Sequence, residues 1–187
     1  MSVAIDHTGP WTVADVLALP EDRNTRYELL GESLVMSPAP GVRHQRASFR
    51  LHVALDAAAR AVGAPVEILE GVNVVLPSGL VVPDLVVADI GATADDPVSV
   101  DMDAVQLVVE LVSPGNSTMD RKVKPMLYAE AAVPHFWRLE FDPAPMLVVY
   151  VLQDGRYVER TTALAGTTSH LDAPFPLAID PADLSRQ

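Results

Sequence analysis

Cysteine is absent from the chain, which excludes disulfide bonds, thiolate nucleophiles and cysteine-ligated zinc sites. Apolar runs are also short, and none approaches the roughly 18 residues of a membrane-spanning helix. The N-terminal segment lacks the basic and apolar regions of a secretory signal. We therefore expect a cytoplasmic protein without a membrane partner.

Basic residues are scarce and unevenly distributed. The chain has 13 of them against 25 acidic residues, and its formal net charge is −12. Residues 61–120 contain ten acids and no lysine or arginine. Because proteins that follow a nucleic-acid backbone carry basic surfaces, this balance argues against such a partner. Any function assigned to the chain has to be consistent with the concentration of acidic residues in residues 61–120.

The length of 187 residues and the 49% hydrophobic content predict one domain spanning residues 1–187. The clearest helix follows Gly41, because apolar residues from Ala47 to Val62 recur at helical spacing. A second helix is expected after the loop at residues 113–118 and runs to about Ala132.

Strands are indicated in the remaining segments. Two nearly continuous apolar runs, residues 80–88 and 105–112, are typical of central strands buried on both faces. The acidic stretch between them, residues 91–103, is expected to be a loop. Hairpin turns are predicted at Gly31-Glu32 and Asp154-Gly155. The fold class is therefore α/β, with a mixed central sheet flanked by helices and additional antiparallel hairpins.

Two acidic residues stand inside the apolar runs. Asp84 lies within residues 80–88, and Glu110 lies within residues 105–112. Asp and Glu are poor strand formers and are rarely buried without a partner. Their placement in consecutive strands predicts carboxylates that converge on a cation, such as a metal ion. The alternative is that one or both face solvent at a strand end or pair with an arginine.

Lysine is almost as rare as cysteine, since Lys122 and Lys124 are the only two in the chain. Lys124 shares a helical face with Leu127 and Tyr128, so it is expected to point inward. An ammonium at that position can stabilise a developing oxyanion or orient an attacking water. The alternative is a surface lysine whose stem covers apolar neighbours.

Other basic residues gather at the starts of the two helices. They are Arg43, Arg46, Arg50, Arg121 and Lys122. These side chains are candidates for binding phosphates that flank a reaction centre, and a solvated face with ion pairs is the alternative. His44, in the first turn of the long helix, is a candidate for supporting the site through another residue.

A set of short motifs occurs in order between about Arg26 and Tyr157. They are Tyr27-Glu28-Leu29-Leu30-Gly31-Glu32, Ser37-Pro38-Ala39-Pro40, His44-Gln45, Val82-Pro83-Asp84, Glu110-Leu111-Val112-Ser113-Pro114, residues 120–124 and residues 128–137. Together they resemble the Uma-two family of restriction-endonuclease-like proteins, which is assigned to the PD-(D/E)xK nuclease superfamily. The resemblance implies a restriction-endonuclease-like core.

The resemblance also implies roles for individual residues. Asp84 and Glu110 correspond to the two metal-binding carboxylates. Glu28 corresponds to a further acid on an early element, and Glu32 is the other candidate for that acid. Lys124 corresponds to the catalytic lysine.

That lysine stands in an unusual place for the superfamily. Its ordinary position, two residues after the second acid, is occupied here by Val112, whereas the family pattern has a lysine on the following helix, four residues after Asp120. The candidates for supporting or substrate-binding roles are His44, Gln45, Asp120, Arg43 and Lys122. A departure from the family pattern is His135, which replaces an acid before the aromatic pair.

Oxygen ligands without cysteine favour one or two Mg²⁺ or Mn²⁺ ions. The resemblance implies that the enzyme is an endonuclease that hydrolyses DNA phosphodiester bonds. Two alternatives stay open. One is a catalytically silent nuclease fold that acts as an interaction module, and the other is a hydrolase of a small phosphate ester. Strand patterns at residues 146–152 and 156–162 favour exposed strands and hence a homodimer.

Overall fold

The computed structural model describes residues 7–20, 22, 25–113, 115 and 117–186. In this part of the chain the helices are α1 (Val13–Leu17), α2 (Val42–Val62), α3 (Lys124–Glu130) and α4 (Pro181–Ser185). The strands are β1 (Thr25–Leu30), β2 (Ser33–Pro38), β3 (Val66–Glu70), β4 (Asn73–Leu76), β5 (Gly79–Val81), β6 (Leu85–Asp89), β7 (Ser99–Asp101), β8 (Val105–Leu111), β9 (His135–Glu140), β10 (Met146–Gln153), β11 (Arg156–Leu164), β12 (Ser169–Leu171) and β13 (Leu177–Ile179). A π-helical turn, Met119–Val123, leads directly into α3.

The central sheet has six strands in the order β11-β10-β9-β8-β6-β3. Strand β8 lies antiparallel to β6 and parallel to β9, and the π-helical turn and α3 connect β8 to β9. Val86, Val87, Val108 and Val109 are completely buried, so β6 and β8 are covered on both faces. The predicted central strand at residues 105–112 is therefore present.

Helices α2 and α3 cover opposite faces of this sheet. Leu51 of α2 belongs to the same buried cluster as Leu107, whereas Tyr128 of α3 belongs to the cluster around Val108. Because successive residues of a strand point to opposite faces, Leu107 and Val108 mark the two sides of β8. The predicted apolar stripe of α2 is buried at Ala47, Leu51 and Leu55, partly buried at Ala54 and Ala58, and exposed at Val62.

The apolar run at residues 80–88 was expected to form one strand, and this is wrong. Strand β5 ends at Val81 in a five-stranded sheet ordered β2-β1-β5-β4-β7, and β6 begins at Leu85 in the central sheet. Pro83 lies at the break, where it has no N–H to donate to a strand ladder. Asp84 therefore stands at the entrance to β6 rather than inside a strand.

Two further expectations are corrected. The predicted loop at residues 91–103 contains β7, which pairs in parallel with β4. Strand β10 lies between β9 and β11, so of the two strands expected to be exposed only β11 is at a sheet edge. Both predicted hairpins, β1–β2 and β10–β11, are present. Among the described residues, no helix combines the length and apolarity needed to cross a bilayer.

Gly79 brings β5 against β1, the strand that carries Glu28. Its φ is +151°, and an added Cβ would lie 2.0 Å from the carbonyl oxygen of Leu29, a backbone atom that cannot move aside cheaply. Gly79→Ala is therefore expected to lower the free energy of unfolding by about 2 kcal/mol or more in urea denaturation. Gly91→Ala is the control, because nothing lies within 4 Å of its added Cβ. Equal stability of the two variants would contradict the close approach of β5 to β1.

Candidate active site

Four side chains from separate elements line one cavity of about 490 Å³. Glu28 lies on β1, Asp84 precedes β6, Glu110 lies on β8 and Lys124 begins α3. Each of these residues is 5% exposed or less. The fold thus brings together the four residues predicted as catalytic, and it places Glu28 rather than the exposed Glu32 at the site.

Lys124 is buried between two carboxyl groups. Its Nζ lies 2.9 Å from Glu28 Oε1 and 3.1 Å from Glu110 Oε1. Burial disfavours the ammonium form, but the Glu110 and Glu28 carboxylates outweigh burial and raise the pKa of Lys124 well above its usual range. Lys124 is therefore a fixed positive charge in the cavity, and the alternative of a surface lysine is wrong.

Asp84 is held by donors on both of its oxygens. Its Oδ1 accepts a hydrogen bond from Arg26 Nη1 at 2.6 Å, and its Oδ2 accepts one from the Leu111 N–H at 2.8 Å. His44 Nε2 lies 3.0 Å from the same Oδ2. Burial raises the pKa of Asp84, but His44 and Arg26 outweigh burial and leave it below its ordinary value. The carboxylate is thus ionised, and its partner includes an arginine, as one alternative expected.

Glu110 is fully enclosed between β8 and α3. Its Oε1 accepts a hydrogen bond from the Tyr128 hydroxyl as well as contacting Lys124. Burial raises the pKa of Glu110 to about 8, the Lys124 ammonium opposes this rise, and neighbouring carboxylates, Asp84 foremost, add to it. Glu110 therefore keeps its proton to a higher pH than an ordinary glutamate side chain.

Asp120 and His44 also line the cavity. Asp120 Oδ2 accepts a long hydrogen bond, 3.5 Å, from the Ser113 N–H. Burial raises the pKa of Asp120 to about 6, although Lys124 opposes that rise. His44 reaches the cavity through its contact with Asp84, so it occupies the supporting position that was predicted for it.

Arg43 lies at the mouth of the cavity, where protein groups already hold it. Its Nη2 donates to the Phe141 carbonyl at 2.8 Å, and its Nη1 lies 3.3 Å from Asp142 Oδ1. Arg50 donates to two backbone carbonyls near the end of the described chain, and Arg121 pairs with Glu140. These contacts agree with the predicted alternative of ion pairs on a solvated face.

Gln45 and Lys122, two of the predicted supporting or substrate-binding residues, do not line this cavity. The Gln45 side chain is exposed, and its Nε2 donates to the Pro40 carbonyl at 2.9 Å. Lys122 is exposed on another side of the helical segment. It stands two residues before Lys124, and residues two apart on a helix do not share a face.

Sequence reasoning misses two contributors to the site. Arg26 stands two residues before Glu28 on β1, so both side chains lie on the same face of the strand. That spacing could have identified Arg26 as the partner of a buried acid. Tyr128 is assigned to the inward face of its helix, but its hydrogen bond to Glu110 depends on the packing of α3 against β8 and leaves no mark in the sequence.

Comparison with known proteins identifies the family of this chain. The family model described as "Uma2: Putative restriction endonuclease" matches residues 13–184. The chain belongs to the Uma2 family. The match confirms the motif resemblance and extends beyond residues 26–157 on both sides. A search among curated proteins finds no match.

A solved structure has the same fold as this Uma2 chain. It is described as a putative nuclease belonging to DUF820 from Anabaena variabilis ATCC 29413. The two structures superpose with a TM-score of 0.74 at 16% sequence identity, over 94% of this chain and 97% of that one. This likeness confirms the α/β fold class.

Members of a restriction-endonuclease-like family usually require a divalent cation, and the donor chemistry of this Uma2 site fits one. Among the described residues, no three or more acidic or histidine side chains are arranged to hold a metal ion. Asp84 and Glu110 nevertheless present carboxylates to one cavity, and Mg²⁺ is often held by one or two carboxylates plus waters. Burial is the main cause of the raised pKa of Glu110, and a cation bound beside it would favour the ionised carboxylate.

The stability of this Uma2 protein is expected to depend on pH through Glu110 and Asp120. Their pKa values rise on folding, from 4.5 to about 8 and from 3.8 to about 6. Between its unfolded and folded pKa, each group binds more protons in the folded state than in the unfolded state. The free energy of unfolding therefore falls with increasing pH, from about pH 4 to 6 through Asp120 and from about pH 4.5 to 8 through Glu110. Burial lowers the pKa of His135, which acts in the opposite direction, so a variant is needed to isolate Glu110.

Glu110→Gln is expected to remove the part of this fall that lies between about pH 5 and pH 8. Urea denaturation at a series of pH values, in EDTA, measures the difference from wild type. Glu32→Gln, which replaces an exposed acid, should follow the wild-type curve. Identical pH dependence for Glu110→Gln and wild type would show that Glu110 is not protonated in the folded protein.

Proposed function

We propose that this protein hydrolyses phosphodiester bonds in DNA with Mg²⁺ or Mn²⁺ as cofactor. The observation that carries the proposal is the buried ammonium of Lys124 between Glu28 and Glu110, in the cavity that also contains Asp84. Burying several charges together is costly, so such a cluster indicates chemistry more than core packing. Membership of the family described as "Putative restriction endonuclease" supports the same reaction class.

Asp84 and Glu110 would hold the cation, whether one ion or two. When bound, the cation supplies Lewis acidity toward a phosphoryl oxygen. Lys124 adds a fixed positive charge beside the same position, where negative charge develops on the phosphate. Glu28 positions Lys124 and also accepts a hydrogen bond, 2.9 Å, from the Val82 N–H. The positioning carboxylate is thereby tied to the bend that presents Asp84.

Hydrolysis joins the oxygen of a water molecule to phosphorus and releases the ester oxygen on the opposite side. The water loses a proton, and the leaving oxygen gains one from solvent. Asp120 lies in the same cavity with a pKa of about 6, which suits a group that exchanges protons near neutral pH. We assign Asp120 to accepting the proton of the attacking water.

Two other functions have support from specific observations. A catalytically silent nuclease fold is favoured by Asp84, whose oxygens are already bonded to Arg26, His44 and the Leu111 N–H. A small phosphate ester as substrate is favoured by the cavity volume of about 490 Å³, which lies in the usual range of small-molecule sites. Activity on nucleotides but not on polymers would select the second of these.

The predicted homodimer and cytoplasmic location belong to the same proposal. Edge strand β11 carries the exposed side chains Val158 and Leu164, and an edge strand can pair with a second copy. A molecular mass of two chains in light scattering is the result expected for the dimer.

Asp84→Asn and Lys124→Met are each expected to slow Mn²⁺-dependent nicking of plasmid DNA by about 100-fold or more. The first removes a cation ligand, and the second removes a fixed charge beside the phosphate. Glu32→Gln is the matched control, because it replaces an exposed acid on the hairpin that carries Glu28. Thermal unfolding of each variant reports whether it is folded.

Calorimetric titration with Mn²⁺ complements the cleavage assay. The wild-type protein is expected to bind the ion, and Asp84→Asn is expected to lose that binding. Nicking by purified Asp84→Asn at the wild-type rate contradicts the assigned site. If the wild type neither binds Mn²⁺ nor cleaves DNA, the alternative of a catalytically silent interaction module is favoured instead.

A further inference from the structure

A second concave surface lies next to the catalytic cavity, and we call it the basic groove. It has a volume of about 430 Å³ and is formed by the π-helical turn, α3 and strands β9 to β11. Four cations line it, namely Arg121, Lys122, Arg138 and Arg156, against the single acid Glu130. In a chain with only 13 basic residues and a net charge of −12, this is a marked concentration of positive charge.

The catalytic cavity has the opposite balance. Five acids line it, whereas its fixed cations are three: Arg26, Arg43 and Lys124. A divalent cation would bring the charge of this lining close to zero but would not make it strongly positive. A nucleic-acid substrate is therefore held more firmly where a separate positively charged surface lies nearby.

The cations of the basic groove differ in how firmly they are held. Glu140 fixes two of them, with Arg121 Nη2 at 2.6 Å and Arg138 Nε at 2.9 Å from its carboxylate oxygens. Two guanidinium groups on one carboxylate leave a net positive charge in a fixed position. Lys122 and Arg156 are exposed and make no ion pair with any residue in the described part of the chain.

Aromatic rings lie among these cations. The Tyr150 and Phe136 rings stack with centroids 5.6 Å apart, and the Arg138 guanidinium lies 5.5 Å from the centroid of Tyr150. Tyr157 also lines the groove and contacts the Phe136 ring. Phe136 itself is buried, so the partly buried Tyr150 and Tyr157 and the Arg138 guanidinium are the planar groups left to line the groove. Such groups are surfaces on which unpaired bases stack, and the neighbouring cations match the phosphates between those bases.

The groove and the cavity share one helical segment. Asp120 and Lys124 face the cavity, while Arg121 and Lys122 face the groove. A helix with its side chains is about 10 Å across. At 3.4 Å per stacked nucleotide, about three nucleotides span the width of this helical segment. One nucleic-acid strand can therefore contact the catalytic cavity and the basic groove at the same time.

We propose that the basic groove binds single-stranded nucleic acid and holds the strand that continues from the scissile phosphate. This inference rests on the proposed nuclease function, since it names the surface that brings a polyanion to an acidic cavity. Lys122 and Arg156 contact phosphates, and the plane formed by Arg138 and Tyr150 supports an unpaired base.

Fluorescence anisotropy with a labelled single-stranded oligonucleotide of about 15 nucleotides tests the groove, in EDTA so that cleavage does not intervene. The double variant K122E/R156E is expected to bind at least tenfold more weakly than wild type. The slope of log affinity against log salt should fall by about 1.4, the value for two lost phosphate contacts on a single strand. Arg160→Glu is the matched control, an exposed arginine of β11 outside the groove.

A second variant tests the stacking surface. Tyr150→Leu keeps much of the side-chain volume but removes the ring beneath Arg138, so it should weaken binding several-fold and leave the salt slope unchanged. A duplex of the same sequence should bind more weakly than the single strand. If K122E/R156E and the Arg160→Glu control bind the oligonucleotide with equal affinity, the basic groove is not the binding surface. If the duplex binds as tightly as the single strand, the preference for single-stranded nucleic acid is wrong.

A parallel cleavage assay separates this inference from the proposed function. If the wild type cleaves DNA while K122E/R156E binds and cleaves like wild type, the proposed role of the groove is wrong and the proposed nuclease function is retained. If the wild type binds the oligonucleotide through Lys122 and Arg156 but cleaves no DNA, the role of the groove is retained and the proposed nuclease function is wrong.

Discussion

The ammonium of Lys124 lies buried between the carboxyl groups of Glu28 and Glu110, and the surrounding architecture depends on that contact. Glu28 belongs to the five-stranded sheet, Glu110 to the central sheet and Lys124 to the start of α3. Removing one partner from a buried ion pair typically costs about 3–5 kcal/mol, because the remaining charge is left without compensation. The same contact therefore joins three parts of the fold and places a fixed cation beside Asp84.

Charge is divided between two neighbouring surfaces. The cavity gathers acids from the lysine-free and arginine-free middle third, which contains Asp84, Glu110 and Asp120. The basic groove gathers cations contributed by the chain after residue 120. A net charge of −12 therefore does not describe the surface that a substrate meets. One surface is suited to a cation and a reacting phosphate, and the other to the strand that carries that phosphate.

The sequence indicates which side chains share the cavity better than it indicates the backbone around them. Two acids within apolar runs and a rare lysine on an inward helical face single out Asp84, Glu110 and Lys124, and all three line the cavity. The change of sheet at Pro83 is not predicted, because an unbroken apolar run looks the same whether it forms one strand or two. The spacing of Arg26 and Glu28 on β1 places Arg26 on the face of the site, but that its partner is Asp84, 58 positions away, depends on tertiary packing.

The most direct measurement is a crystal structure of the protein soaked in Mn²⁺, with anomalous scattering used to locate the ion. If Asp84 and Glu110 bind the cation, the anomalous density for Mn²⁺ will contact both carboxylates. Arg26 will then have moved away from Asp84, and Lys124 will still lie beside Glu28. Density elsewhere on the protein, or an Arg26–Asp84 pair that stays intact with no ion in the cavity, would contradict the central claim that these carboxylates form a metal-dependent active site.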